Sequence, residues 1–247
     1  MVRLILRTAA MAAALLVCLP LHYLWRLFGP SPWPRRFLGL VARAAGMRVR
    51  VVGLPLERDV LFLANHLSWL DIVLLAGASG TAFVAKAEVA STPLVGWLAT
   101  LNNTVFVARS ERGAVRGQAH SLRTALASGQ PVALFPEGTT EGGPDILPFR
   151  ASLLAALYPP LPGVKVQPVA LDYGAAANDL AWVGEESGLS NFRKVLARRG
   201  TTPVTVQFLA PVDPARGDRK ALASAAHAEI VEALGKPGPS GGGADRL

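Results

Sequence analysis

One cysteine in 247 residues rules out an intramolecular disulfide, and a lone Cys18 fits a reducing compartment. Acid is missing from the first 50 residues, which hold eight arginines (positions 3, 7, 26, 35, 36, 43, 48 and 50) and no lysine. The rest of the chain carries 17 basic and 17 acidic side chains, so the whole net charge of +8 lies at the N-terminus. Histidine is scarce: residues 22, 66, 120 and 227 show no ligand spacing, so neither a metal centre nor a metal-dependent hydrolase is indicated. There is no G-x-S-x-G elbow, no G-x-x-x-x-G-K-[ST] loop, no G-x-G-x-x-G fingerprint and no C-x-x-C. Serine-hydrolase, P-loop and dinucleotide-binding readings therefore lack their signatures.

Hydrophobic residues make up 51% of the chain and charged ones 17%, apolar for a soluble enzyme but thin for a polytopic membrane protein. Trp25, Phe28 and Trp33 are interleaved with the N-terminal arginines. That mixture suits an anionic lipid surface, with aromatic rings at headgroup level and guanidinium groups on lipid phosphate. No zinc-finger, RRM-like or helix-turn-helix pattern supports nucleic acid as the partner. Between Arg7 and Arg26 lie 18 residues with His22 as the one titratable group and Pro20 as an interruption. A span needs ~20 apolar residues, so the run predicts a monotopic helix or helical hairpin over residues 1–45, with a single span as the alternative. Either arrangement predicts an inner-membrane protein whose domain faces the cytoplasm.

From residue 46 to 234 strands alternate with helices. MRVRVVG, VLFLA, TAFVA, TVFVA, PVALF, VKVQPVALDY and PVTVQFLAPV read as strands. Residues 69–78, 93–101, 114–128, 150–157 and 218–234 read as helices. The alternation predicts a single α/β domain with a largely parallel mixed sheet flanked by helices. Residues 235–247 are rich in glycine and proline and are expected to be disordered.

ANHLSWLD, from Ala64, follows the strand VLFLA and places His66 where ligands meet α/β sheets. Asp71 has two readings. It could orient His66, or, as the last residue of Ser68-x-x-Asp71, it could cap the next helix. Residue types leave both roles open. Downstream, FVAR offers Arg109 as a fork for a phosphate or carboxylate. FPEGT places Glu137, Gly138 and Thr139 in a tight loop whose backbone could approach a ligand.

In this order the stretches resemble the glycerolipid acyltransferases, which include the bacterial 1-acyl-sn-glycerol-3-phosphate acyltransferases. NHLSWLD matches their N-H-x-x-x-x-D motif, FVAR their phosphate-binding block and FPEGT their third block. VQPVAL, from Val166, is similar to the fourth. The likeness covers about residues 48–215. It departs at Asn103, where a glycine is usual, and at Thr140-Glu141, where Arg-Ser is common. The TTEGG…LPFR form resembles a branch that also includes lyso-ornithine lipid acyltransferases.

The resemblance implies His66 as general base and Asp71 as its orienting acid. Lys86 and Arg109 would hold the acceptor phosphate, with Glu137 and Thr139 shaping the acceptor site and Arg150 as a lesser candidate. Backbone donors near Gly138 would stabilise the oxyanion. The activity implied is transfer of an acyl chain from acyl-CoA or acyl-carrier protein, as co-substrate, to a lysophospholipid. Lysophosphatidate is the expected acceptor, lyso-ornithine lipid the alternative, and a non-catalytic lipid-binding protein the reading of another class. No other cofactor is implied.

Overall fold

The structure is a computed structural model that describes residues 1–107 and 114–235, leaving aside the side chains of residues 86 and 107–120. It opens with helices α1 (Val2–Trp25) and α2 (Trp33–Ala44). Next come β1 (Met47–Val52), β2 (Val60–Ala64), α3 (Leu70–Ser79), β3 (Ala82–Lys86), α4 (Ala87–Ala90) and α5 (Val95–Leu101). Then follow β4 (Val105–Val107), α6 (Ala114–Ala127), β5 (Val132–Leu134) and a 3-10 turn (Ala151–Leu157). The chain continues through β6 (Lys165–Asp172), α7 (Ala177–Leu180), α8 (Gly188–Ala197), β7 (Thr202–Phe208) and α9 (Arg219–Ala233).

Seven strands form one sheet in the order β1-β7-β6-β2-β5-β3-β4. Strands β2 to β6 run parallel, β7 pairs antiparallel with β6, and β1 lies parallel to β7. The sheet is mixed and flanked by helices, as expected. At its centre, all five residues of β2 are buried, because each face meets a different core. Val60, Phe62 and Ala64 pack with Leu70 and Leu74 of α3. Leu61 and Leu63 pack with Leu122 and Leu126 of α6 and with Leu222 of α9. Burying each large side chain contributes ~1.5–3 kcal/mol, which is why β2 reads as an unbroken apolar run.

Helix α1 does not stop at Pro20. It continues for 24 residues, with Cys18 and His22, either side of the proline, buried. They line a groove with Trp33 and Phe37 of α2, so tertiary packing offsets the lost backbone bond. By length and composition α1 could cross a membrane, with a mean hydropathy of 2.1 and 6% of that window buried.

Two arginines read as lipid ligands instead serve the fold. Arg7 donates to the carbonyls of Val195 and Leu196 (both 3.3 Å) and Gly200 (2.6 Å), covering the C-terminal end of α8. Arg35 donates to Ala78 O at 2.5 Å and Gly77 O at 3.4 Å, doing the same for α3. Where α2 crosses α3, a Cβ on Gly77 would lie 2.8 Å from Gly39 Cα, so the crossing requires glycine. Two further differences concern helices. Residues 151–157 form a 3-10 turn, and α7 and α8 occupy a stretch read without helices.

Candidate active site

β2 delivers Asn65 and His66 to the C-terminal edge of the parallel strands. Asn65 clips this turn to β6, donating to Leu171 O (3.0 Å) and accepting from Leu171 N–H (2.8 Å). The His66 amide donates to Glu137 Oε1 at 2.7 Å, tying the turn to the loop after β5. Three of the expected site residues, His66, Asp71 and Glu137, are thereby brought together.

Asp71 is fully buried. Its Oδ2 accepts from His66 Nδ1 (2.7 Å), Leu67 N–H (2.6 Å) and Ser68 N–H (2.8 Å). Ser68 Oγ in turn accepts from Leu70 N–H at 3.3 Å, which completes the first turn of α3. Asp71 thus holds the His66 ring and the backbone turn that leads into α3 with one oxygen. Its second oxygen, Oδ1, accepts from the Tyr173 hydroxyl, and Tyr173 is buried at the end of β6. Burial and the Asp71 charge hold the Tyr173 phenol well above its usual pKa, so it stays a donor.

A carboxylate at Nδ1 places the imidazole proton there, leaving Nε2 with a lone pair. The ring is fixed from the side as well. Phe135 stacks on His66 with centroids 4.0 Å apart and an 11° interplanar angle, and Phe83 stacks behind Phe135 at 5.9 Å. The His66 side chain is 19% exposed, enough to meet a substrate. It opens on a cleft bounded by the Gly143–Ile146 loop and the Leu171–Asn178 segment, with Asp145 and Asp172 exposed on its walls.

Glu137 is buried, and its two oxygens accept from His66 N–H and from Leu147 N–H at 2.9 Å. Burial pushes its pKa up to about 7 against the pull of those two donors. The loop closes tightly on it: a Cβ on Gly142 would lie 2.5 Å from Asp145 O and 2.9 Å from Leu147 Cγ. Gly138 adopts φ +72°, and its N–H donates to Phe135 O at 3.0 Å. That donor is already engaged, so the oxyanion role expected near Gly138 does not fall to this amide. Thr139 Oγ1 accepts from Glu141 N–H at 3.2 Å. The Arg150 guanidinium lies over Gly138.

Lys86 ends β3, but its side chain lies outside the described residues, as does all of Arg109. Among the described residues no group of three or more His, Cys, Asp or Glu side chains could hold a metal ion. Sequence reading placed Asn65 at this strand end but missed Tyr173 and Phe135. For Tyr173 a signal existed: a tyrosine closing an apolar strand needs a buried partner for its hydroxyl.

A histidine whose Nε2 has no hydrogen-bond partner among the described residues, with a buried carboxylate behind it and an open cleft in front, is equipped to take a proton from a hydroxyl. The Acyltransferase family model matches residues 48–172, which contain His66, Asp71 and Glu137. The chain belongs to the acyltransferase family. It is 37% identical over 242 residues to the lyso-ornithine lipid O-acyltransferase of Brucella abortus (strain 2308), covering 90% of each chain. To the 1-acyl-sn-glycerol-3-phosphate acyltransferase of Neisseria gonorrhoeae it is 38% identical over 114 residues, 46% of this chain and 44% of that one. Among solved structures, the 1-acyl-sn-glycerophosphate acyltransferase PlsC of Thermotoga maritima superposes with a TM-score of 0.58. It is 27% identical, over 83% of this chain and 80% of that one. In this acyltransferase the motif residues His66, Asp71 and Glu137 form one hydrogen-bonded unit rather than three separate sites.

Proposed function

We propose that this acyltransferase moves a fatty acyl chain from a thioester, acyl-CoA or acyl-carrier protein, to the free hydroxyl of lyso-ornithine lipid. The observation that carries the chemistry is the His66–Asp71 pair, with Nδ1 held at 2.7 Å in a ring that lines the cleft. His66 Nε2 takes the acceptor proton as the oxygen attacks the thioester carbonyl. The tetrahedral intermediate then expels the thiolate, which leaves with the proton from Nε2. Asp71 keeps the ring oriented and offsets the charge of the transient imidazolium. No covalent acyl-enzyme is needed: Ser68 is buried with its oxygen accepting from Leu70 N–H, and Cys18 is buried in the α1–α2 groove.

Lysophosphatidate is the acceptor that the motifs alone put first. Lyso-ornithine lipid has the better support, because likeness to its acyltransferases runs over 90% of the chain rather than 46%. The cleft walls agree. Asp145 and Asp172, which line the same cleft as His66, suit an ammonium group, which ornithine carries, better than a phosphate dianion. Helix α1 would hold the cleft at the cytoplasmic face of the inner membrane, where thioester donors are made. Its tether through Arg7 favours a helix lying along the domain over one that leaves it to span.

Parallel assays with one labelled donor and either acceptor test this reading. A preference for lyso-ornithine lipid of at least about tenfold, ~1.4 kcal/mol in transition-state binding, is expected. The reverse preference would restore lysophosphatidate, and no transfer to any lysolipid would favour a non-catalytic lipid-binding role. His66→Ala should abolish transfer in either case.

A further inference from the structure

From Val89 to Ala108 the chain holds no charged residue. At its start α4, whose exposed Glu88 is the last charge before it, meets α5 at a tight corner closed by Gly96, where a Cβ would lie 2.2 Å from Ala90 O. The corner turns Leu94, Val95 and Trp97 outward, 55%, 53% and 37% exposed. Leu94 adopts φ 62° and ψ −53°, a backbone conformation that is costly for a residue with a Cβ. A contiguous apolar tip held by strained backbone is not ordinary solvent-facing surface.

Two relations indicate what covers it. Leu98 and Leu101, further along α5, share an apolar groove with Leu15 and Leu19 of α1 and Phe37 of α2. The corner therefore continues the surface of α1, whose Leu16 and Val17 are 75% and 58% exposed. Helix α4 also follows β3 directly, and β3 runs parallel to β5 and through it to β2. The corner thus lies at the strand-end edge that carries His66.

We propose that the Leu94–Trp97 corner is a second membrane contact, entering the acyl-chain region of the bilayer beside α1. Two separated points of insertion fix the tilt of the domain and hold its His66 edge toward the lipid, where a lysolipid acceptor lies. A bilayer fits this surface better than a second protein copy. The tip is free of charge, its tryptophan suits the headgroup boundary, and exposed Arg26, Arg36 and Arg43 on the neighbouring hairpin match anionic lipid. The proposal rests on membrane association through α1.

Because Cys18 is the one cysteine, single spin labels can be placed in a Cys18→Ala background of the full chain. Labels at Leu94→Cys, Leu16→Cys on α1 and the aqueous control Ser128→Cys are compared in phosphatidylglycerol/phosphatidylethanolamine vesicles. Power saturation with oxygen and with a water-soluble nickel chelate reads the depth of each. Leu94 should follow Leu16, oxygen-accessible and shielded from nickel. A Leu94 label that behaves like Ser128 while Leu16 is lipid-exposed overturns the proposal. Aqueous behaviour at both positions overturns α1 anchoring, and the corner contact with it. Shielding of Leu94 from both reagents before vesicles are added means that a protein copy covers the corner, which also overturns it. A Leu94→Ser/Val95→Ser variant with an unchanged melting curve should partition into vesicles at least about tenfold less; unchanged partitioning opposes the proposal.

Discussion

The carboxylate oxygen of Asp71 that holds His66 Nδ1 at 2.7 Å also accepts from the Ser68 amide at 2.8 Å. One atom therefore serves both the turn into α3 and the His66 ring. Asp71→Asn separates the two roles. Its amide oxygen can still accept from Leu67, Ser68 and His66, so the melting temperature should change little. The charge that offsets an imidazolium is lost, and kcat should fall about 10⁴-fold. Full activity in this variant would leave Asp71 as a cap alone.

Tyr173→Phe strands the other oxygen of Asp71, which then lies buried without its donor. Leaving such an acceptor unpaired costs ~1–3 kcal/mol, to be read from chemical denaturation. The carboxylate then has freedom to rotate away from His66, so kcat should fall while KM for the acceptor changes little. A stability loss with wild-type kcat would make Tyr173 purely structural.

The strands were legible because each core-facing run is rich in Val, Leu or Phe and bounded by turn residues. Helix α8 was not: its Ser187 cap, which accepts from Ser190 N–H, sits in a polar stretch, and Leu189 on its surface blurs the periodicity. His66, Asp71 and Glu137 could be named from motif spacing. That Glu137 buttresses the His66 backbone could not, because the contact joins residues 71 positions apart. Sequence likewise records the charge of Arg7 and Arg35 but not the carbonyls that satisfy them.

Glu137 should make stability depend on pH. Its folded pKa, about 7, lies above the ordinary value of 4.5. Between those values the folded chain holds a proton that the unfolded chain has released. The group's contribution is thus full below the unfolded value and is lost as pH rises through about 7, ~3 kcal/mol in all. Glu137→Gln is neutral throughout. Its unfolding free energy should decline less than that of wild type between about pH 5 and about pH 8. Equal declines would mean that Glu137 titrates normally.

Gly142→Ala tests how tightly the loop is closed. The new methyl would meet Asp145 O at 2.5 Å and Leu147 Cγ at 2.9 Å, and the loop has to shift to admit it. The expected cost is ~1–3 kcal/mol. Displacement of Leu147 from Glu137 should also lower turnover. Gly163→Ala is the contrast: at φ +80° with nothing within 4 Å, it carries backbone strain without a clash. It should cost only ~1–2 kcal/mol and leave turnover intact.

Arg7 distinguishes a structural from a lipid-binding arginine. Its guanidinium reaches three carbonyls at the end of α8, so Arg7→Ala leaves these without their charged donor. A loss of ~1–3 kcal/mol in detergent-solubilised protein is expected. The untethered α1 should also expose residues 26–32 to faster proteolysis. Partitioning into anionic vesicles should change little, because the exposed apolar face of α1 is intact. The opposite pattern, unaltered stability in detergent with weakened vesicle binding, would return Arg7 to the lipid surface. It would also free α1 to leave the domain, which is what a membrane-spanning placement requires.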